Sequence, residues 1–443
     1  MRLAGWGRFP FHESRATKLT CPDAVGQIHR ESGGYIARGN GRAYGDAAIG
    51  RDTTLQVAGL NRMVSFAPAT AELTVESGVL LSDIIDVFLP RGLFPPVVPG
   101  TQFVTVGGMV AADVHGKNHH RDGGFGHHVH ALKLVLPSGE LVTCSWAENA
   151  ALFVATIGGM GLTGTIVEVT LGLRRVESGW IKTRTVVTEN LEGAIQALQQ
   201  TAEATYSVAW IDCLARGPAM GRSLIYVGEH ARQDELPAAA KFGELFPRRA
   251  QRRVNVPFDL PSWTLNRMTV GLFNEAYFRR GSANGNSSGF MHWEPYFFPL
   301  DGVGAWNRIY GRRGFVQHQS VLPVDRAAAA LGEVLDRISR QANASFLAVL
   351  KQLGNGFGTM SFPIDGFTLA IDFPVNAKVF PLLEEIDRVV VEAGGRIYLA
   401  KDARQSRDTF EAGYPGLAAF RDIRRSVGAD ARIVSRLSER LGI

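Results

Sequence analysis

The sequence predicts an α+β fold in two domains, on three observations. The chain has 443 residues, more than one hydrophobic core usually serves. Its early part reads as short alternating strands punctuated by glycine, whereas from about residue 181 strands and amphipathic helices follow one another in a repeated order. Its 50 glycines cluster instead of spreading evenly, which marks them as backbone chemistry and not low complexity.

Taken in order, "TTLQVAGL", "RMVSFA" and "AELTVESG" alternate as strands. "LLSDIIDVFLPRGL" predicts a helix with Ser82 as N-cap, stopped near Pro90. "ALKLVLPSGELVTCS" predicts a hairpin turning at Pro137-Ser138-Gly139. "GGMGLTGTIVEVTLGL" predicts a glycine-rich turn feeding a strand. Next come the strand "WIKTRTVVT", the helix "NLEGAIQALQQTAEA" capped by Asn190, and the strands "YSVAWIDC" and "SLIYVG". The order returns with a strand at 315–322, a helix at 326–341, and strands near 346–353 and 367–373. The helix "PLLEEIDRVVVEAGG", ended by Gly394-Gly395, and the strand "RIYLA" follow. Such a succession predicts one antiparallel sheet covered by helices. Between the two runs, residues 237–306 read as a long irregular insertion in which arginines and aromatics alternate.

Composition narrows the function classes. Hydrophobic residues make up 45% and charged residues 20%, enough for a full core. A net charge of +5 suits an anionic partner: a phosphorylated ligand, a membrane surface or nucleic acid. No RNP-like, zinc-finger or helix-turn-helix signature supports nucleic acid. Cys21, Cys144 and Cys213 are widely spaced without a CxxC, which fits a reducing compartment. No signal-like h-region and no membrane-length apolar run is read, so a cytoplasmic protein is expected, with peripheral membrane contact open to it.

Six of the eleven histidines crowd into "HGKNHHRDGGFGHHVH". His115 and His119 have the i, i+4 spacing of a zinc-binding helix. Gly116, Gly123, Gly124 and Gly126 argue against that helix, and no HExxH is present. The expectation is structural histidines with backbone partners, His127, His128 and His130 among them, and no metal.

Three glycine stretches carry the binding chemistry. "ARGNGRAYGD" turns tightly and exposes successive N–H groups to an anion. Its spacing, GxGxxxG with no helix period following, is neither the dinucleotide fingerprint nor a P-loop. "PGTQFVTVGGMVAADVHGKNHH" brings bare backbone and small residues together, and "GGMGLTG" adds a third stretch. Together they predict a large cofactor held mainly by backbone contacts.

Other positions suggest a pocket for a polar substrate. Lys351 is an isolated charge in the apolar strand "FLAVLKQLG", so it is expected to face a cavity. Gln317 and Gln319 share one strand face, suited to sugar hydroxyls. Trp210 either walls the pocket or packs in the core. Lys401, in "YLAKDAR", follows a buried-looking strand; the alternative is a surface lysine paired with Asp402.

The ordered set "ARGNGRAYGD", "PGTQFVTVGGMVAADVHGKNHH", "GGMGLTG" and "YLAKDAR" resembles the vanillyl-alcohol-oxidase, or PCMH, type of FAD oxidoreductase. Within it the chain is similar to the decaprenylphosphoryl-β-D-ribose 2′-oxidases, from "GWGRFP" to the C-terminal helical segment. The resemblance implies an FAD domain over 1–178, a substrate domain over 179–395 and a segment over 396–443 returning to the FAD domain. It implies that Arg38, Gly39, Asn40, Gly41, Arg42, Ala43, Tyr44 and Gly45 line the FAD. Gly100, Thr101, Thr105, Val106, Gly107, Gly108, Ala112, Asp113, Val114 and His115 would continue that cradle, with Ile166 and Tyr398 completing it. Arg42 stands where covalent relatives carry the flavin-bonding histidine, which implies non-covalent FAD.

The resemblance also implies Lys401 and His115 as catalytic residues. Lys117, Trp210, Gln317, Gln319 and Lys351 would join Lys401 around the substrate. The implied reaction oxidises the 2′-hydroxyl of a polyprenyl-phosphate-linked ribose, with a separate NAD(P)H-dependent reductase completing epimerisation to the arabinose form. Bound flavin does the redox chemistry, and a held cation stabilises charge building near its N1. Ala370 and Phe297 replace a cysteine and a tyrosine of the mycobacterial type, a departure that bears on the glycan and not on the reaction class. The alternatives are the same chemistry on a free sugar, alditol or aldonolactone, and a non-catalytic scaffold.

Overall fold

The structure is a computed structural model, described over all residues except 32, 239–243, 248–253, 262, 284, 286 and 342–345. It is an α+β fold with three principal sheets.

In a three-stranded parallel sheet, Thr53–Gln56 lies between Arg15–Lys18 and Tyr35–Arg38. The predicted strand "TTLQVAGL" ends at Gln56, and Val57–Gly59 is a 3-10 turn. The paired segments are four residues long, so the ladder ends where the partners do.

A five-stranded antiparallel sheet runs Leu141–Ser145, Val129–Val135, Thr165–Gly172, Glu72–Glu76, Met63–Ala67. Its first pair is the predicted hairpin, with Leu141 opposite Val135. The helix Leu81–Phe88 packs on this core, but Ser82 is not its cap. Leu80 is the extended residue before the helix, pinned by a bridge to Thr105. The first-turn amides of Leu81 and Ser82 donate to Val104 O and Gln102 O, both at 2.9 Å. The neighbouring chain thus does what a capping side chain would do.

The largest sheet has eight strands, in the order Ser288–His292, Trp180–Thr188, Ser223–His230, Tyr206–Ile211, Ala348–Leu353, Gly366–Pro374, Phe315–Pro323, Arg396–Ile397. Alternation sends successive side chains to opposite faces. One face, with Ala209, Leu350 and Ile371, packs under the helices Leu191–Gln200, Val324–Gln341 and Val379–Glu392. Each such aliphatic side chain removed from water contributes about 1.5–3 kcal/mol. The register pairs Gln317 with Asp372, Gln319 with Ala370, Val349 with Ala370 and Lys351 with Thr368, so these residues share the opposite face.

The predicted strand "RIYLA" pairs only at Arg396–Ile397. The chain then turns, closed by Lys401 N–H to Tyr398 O at 3.0 Å, so Lys401 sits in a turn and not on a strand. The helices Arg407–Gly413, Leu417–Ser426 and Arg436–Leu441 bring Phe410, Tyr414, Phe420 and Leu437 into one core with Tyr35 and Leu55.

The insertion is more regular than its sequence suggests. It holds a 17-residue helix, Arg267–Ala283, and the edge strand Ser288–His292. Val270, Asn274 and Phe278 form the helix's buried stripe, yet Met268, Leu272 and Phe273 are exposed. Apolar residues on the exposed side and Asn274 in the buried stripe remove the contrast by which an amphipathic helix is read. The basic run at 248–253 lies outside the described residues. No described helix is long and apolar enough to cross a membrane.

Candidate active site

The cradle begins where the strand Tyr35–Arg38 runs into the loop 39–45. A Cβ on Gly39 would lie 2.1 Å from Thr105 Oγ1, so only glycine lets this loop meet the 105–108 turn. Gly41 has φ +64, open to glycine at little cost. Among the described residues the amides of Asn40 and Gly41 donate to no protein acceptor. Two successive bare amides form a nest for an anion such as a pyrophosphate. Arg38 braces the loop by donating to Ala4 O at 2.8 Å, and Asn40 Nδ2 donates to Phe103 O at 2.8 Å. Arg42 stacks on Trp6, 4.1 Å from the ring centroid.

The second wall is the helix Val106–Ala111, capped by Thr105, which accepts from Gly108 N–H at 3.3 Å. A Cβ on Gly100 would meet nothing within 4 Å, so the chain there borders open space. Asp113 lies at the helix's end with φ +37. Its carboxylate accepts from Ser361 Oγ at 2.5 Å and Gly126 N–H at 2.9 Å, so the side chain ties loops together and leaves the backbone to line the cradle. Tyr398 donates to Ala112 O at 2.9 Å and stacks on Phe362 with centroids 4.6 Å apart. Ile166 belongs to the five-stranded core.

Opposite this cradle the structure brings together Lys117, Lys351, Lys401 and His115. Lys401 Nζ lies 3.6 Å from the Tyr44 ring centroid. Lys117 donates to Tyr296 O and lies 4.4 Å from that ring's centroid. Each lysine is half-buried, yet protein surrounds it far enough for burial to dominate its titration. Burial lowers Lys117 to about 7 and Lys351 to about 8, with Lys351 adding to the effect on Lys117. Burial also lowers Lys401, Asp372 opposes that, and Lys351 adds to it. Among the described residues none of the three lysines has a carboxylate within ion-pair distance. Such a group calls for an anion.

The reading of Lys401 as a surface lysine paired with Asp402 does not survive. Asp402 instead pairs with Arg440 at 2.9 Å and accepts from the amides of Arg404 and Gln405.

His115 Nε2 lies 2.9 Å from Gln319 Nε2, which also donates to Thr368 Oγ1 at 3.2 Å. With the amide nitrogen turned to Thr368, His115 Nε2 accepts from Gln319. Burial holds His115 well below the usual imidazole range, so the ring is neutral. Gln317 donates to Asp372 at 2.6 Å instead of standing free for a sugar. Trp210 is buried, donates to Phe346 O at 3.2 Å and packs with Leu224 and Phe278.

Sequence reading missed Asp372 and Tyr310, whose hydroxyl donates to Asp372 at 3.2 Å. Asp372 is a lone charge in the apolar strand "GFTLAIDFP", the same signal that pointed to Lys351.

The clustered histidines mostly serve the chain. His119 Nδ1 accepts from Gly354 N–H at 3.0 Å, and His120 and His128 bond Ala204 O and Asp122 O. His127 accepts from Gly124 N–H at 3.2 Å. His130 departs from the expectation: it lies at the surface and pairs with the Glu72 carboxylate at 2.6 Å, because its strand position faces outward. His115 and His119 share no helix, which runs only His119–Asp122. Among the described residues no metal-binding group occurs.

Bare tandem amides, the glycines at Gly39, Gly45 and Gly107 and a half-buried cationic face fit FAD and point to the class: an FAD-binding oxidoreductase. Residues 19–145 match the family described as FAD binding domain. The chain is 37% identical over 451 residues to decaprenylphosphoryl-β-D-ribose oxidase of Mycolicibacterium smegmatis, covering 99% of this chain and 97% of the relative. It is 32% identical to an uncharacterised protein of Streptomyces coelicolor over 82% of this chain and all of the relative. It is also 27% identical to mouse L-gulonolactone oxidase over 36% of this chain and 37% of the relative. The chain belongs to the decaprenylphosphoryl-β-D-ribose oxidase family of FAD-dependent oxidoreductases.

Proposed function

We propose that the chain oxidises the 2′-hydroxyl of a polyprenylphosphoryl-β-D-ribose to the 2′-keto sugar. This would be the first half of an epimerisation to the arabinose form for cell-envelope or glycan arabinosylation, completed by a separate NAD(P)H-dependent reductase. The observation that carries it is the group of three half-buried lysines beside the cradle, on which, among the described residues, Asp372 acts as the one carboxylate, through Lys401. A free sugar or alditol would leave that surplus charge without a partner; a phosphodiester supplies one.

Bound FAD supplies the two-electron oxidant. The chain's residues do the rest. The glycine loops hold the cofactor, and Arg42, engaged on Trp6, offers no covalent link, so the flavin is held non-covalently. Lys117 and Lys351 bind the phosphate. Gln319, fixed by His115 and Thr368, positions the sugar. Lys401 carries positive charge where negative charge develops, and Tyr296, Phe297 and Phe362 keep water out. On this reading residues 1–178 and 396–443 form the cofactor domain, and 179–395 the substrate domain.

The test is anaerobic addition of synthetic farnesylphosphoryl ribose to the yellow protein. Bleaching of the flavin bands supports the reading. Flavin that bleaches with a free sugar or aldonolactone, and not with the phosphodiester, sinks it. In the Lys351→Met variant the spectrum stays and the apparent Kd for the phosphodiester rises about 10- to 100-fold, as loss of a charged hydrogen bond predicts.

The lipid tail implies contact with a bilayer. Among the described residues, nine of fifteen exposed large hydrophobics fall between 254 and 303, Trp263, Met268 and Leu272 among them. Arg267 and Arg279 are exposed beside them. We expect the double variant Trp263→Ser, Leu272→Ser to lose binding to anionic liposomes in a sedimentation assay; unchanged sedimentation would remove the peripheral contact.

A further inference from the structure

Oxidation of a secondary alcohol breaks two bonds to hydrogen. The carbon-bound hydrogen leaves with its electron pair to bound FAD. The O–H bond breaks as well; its electron pair becomes the second C–O bond, and a proton must go somewhere. Solvent is a poor acceptor beside Tyr296, Phe297 and Phe362, which are nearly fully buried against Lys117 and His115.

We propose that Asp372, held by Gln317 and Tyr310, sets the charge on Lys401, so that this buried pair and not solvent takes up the hydroxyl proton. The inference rests on the alcohol oxidation proposed above and names the residues that handle its proton.

Geometry supports it. Asp372 is fully buried in the strand Gly366–Pro374, on the face that looks toward the cradle. Gln317 donates to one carboxylate oxygen at 2.6 Å and Tyr310 to the other at 3.2 Å. Tyr310 is itself fixed. Its ring stacks on Phe315 with centroids 4.3 Å apart, and Phe315 touches Trp306 and Tyr44 edge-on or tilted at 5.4 Å. Tyr44 lies beneath Lys401. The turn Trp306–Tyr310 is anchored by Asn307, which donates to Trp6 O at 3.1 Å. One aromatic box therefore places both the carboxylate's donor and the lysine's platform.

Electrostatics points the same way. The charged and titratable groups facing Lys401 are Asp372, Lys351, Tyr44 and His115. Those facing Tyr44 add Arg42 and Asp301. Burial raises Asp372 and lowers Lys401, so each makes the other's charged form possible. With one proton between them the two groups carry zero net charge, whichever of them holds it. Accepting one more proton takes it to +1 as the flavin gains −1, and the buried site stays balanced. Asp372 and Tyr310 act through Lys401 and are positioning residues.

The test reads the charge on Lys401 without turnover and without the sugar, so its failure and that of the substrate reading are separate results. Flavin-loaded protein is pulse-acetylated with acetic anhydride across a pH series. Mass spectrometry compares Lys401 with the exposed Lys378. Only the neutral amine reacts. Asp372→Asn removes the negative neighbour, so Lys401 turns neutral at lower pH, by about one unit or more. Tyr310→Phe removes a donor from the carboxylate, which then holds its proton to higher pH, and the Lys401 midpoint moves the same way by less. The pH dependence of the bound flavin's absorption reads the same charge with no need for reagent access. If Asp372→Asn loses flavin, Tyr310→Phe decides. A midpoint that stays at the wild-type pH in the folded, yellow variants overturns the proposal; a loss of stability alone would mean packing only.

Discussion

Replacing Lys401 with methionine slows flavin reduction at least about 100-fold, a loss of about 3 kcal/mol of transition-state stabilisation, while the protein stays yellow. Methionine keeps the stem's volume and packing over Tyr44 and removes the charge. Two effects add. The cation that would face developing negative charge is gone. Asp372 also loses the neighbour that favours its ionised form, so the buried carboxyl takes a proton and the site can no longer absorb another. Cofactor binding should persist because the substitution leaves the bare amides of Asn40 and Gly41 and the 105–108 turn untouched. Anaerobic stopped-flow absorbance with the synthetic phosphodiester checks the result. A fall smaller than about 10-fold would show that the lysine serves binding and not the chemical step.

The glycine loops were the most legible part of the sequence, because their geometry is local. Glycines at short fixed spacing dictate a bare backbone wherever the fold places them, and Gly39 against Thr105 shows the space they leave. Lys351 was legible for another reason. A lone charge in an apolar strand must have something to face, and the sheet register turns it to the face away from the helices, beside Thr368. The same logic applied to Asp372 and was not used there. Tyr310 could not have been found, because its role depends on a turn held by the N-terminal Trp6, some 300 positions away in sequence. Ser82 failed as a cap because tertiary contacts of Leu81 and Ser82 satisfied the amides first. The Arg267–Ala283 helix was hidden by apolar residues on its exposed side, which is also what makes that surface a candidate for lipid.

Arg440 is far from the chemistry, yet replacing it with methionine should cost about 3–5 kcal/mol of stability at neutral pH. The helix Arg436–Leu441 aims Arg440 between Asp46 and Asp402, with contacts of 3.0 and 2.9 Å. Both carboxylates are almost fully buried, at 3% and 2% side-chain exposure, so removing the guanidinium strands two negative charges in a poor solvent for them. In the wild type Asp402 lies below the usual carboxylate range even though burial pushes it up, because Arg440, Arg404 and two backbone amides outweigh the burial. Its contribution is present above the unfolded carboxyl pKa and is lost as pH falls through the folded value. Asp46 lies above its usual range through burial, which outweighs Arg440. In the variant both folded pKa values rise. A raised carboxyl pKa destabilises at high pH and relaxes as pH falls through it, so the gap to wild type narrows between about pH 8 and about pH 5. Urea unfolding of the two proteins at both pH values measures this. A gap that stays constant would mean that Arg440 acts through its stem's packing and not its charge. The consequence reaches the active site, since Asp402 follows Lys401 directly and fixes its turn through the amides of Arg404 and Gln405. Gly45, where a Cβ would meet Asp402 O at 2.0 Å, presses the cofactor loop onto that same turn. The C-terminal helix, the 39–45 loop and the Lys401 turn are therefore one packed unit, and the variant's residual folded fraction should also bind FAD more weakly.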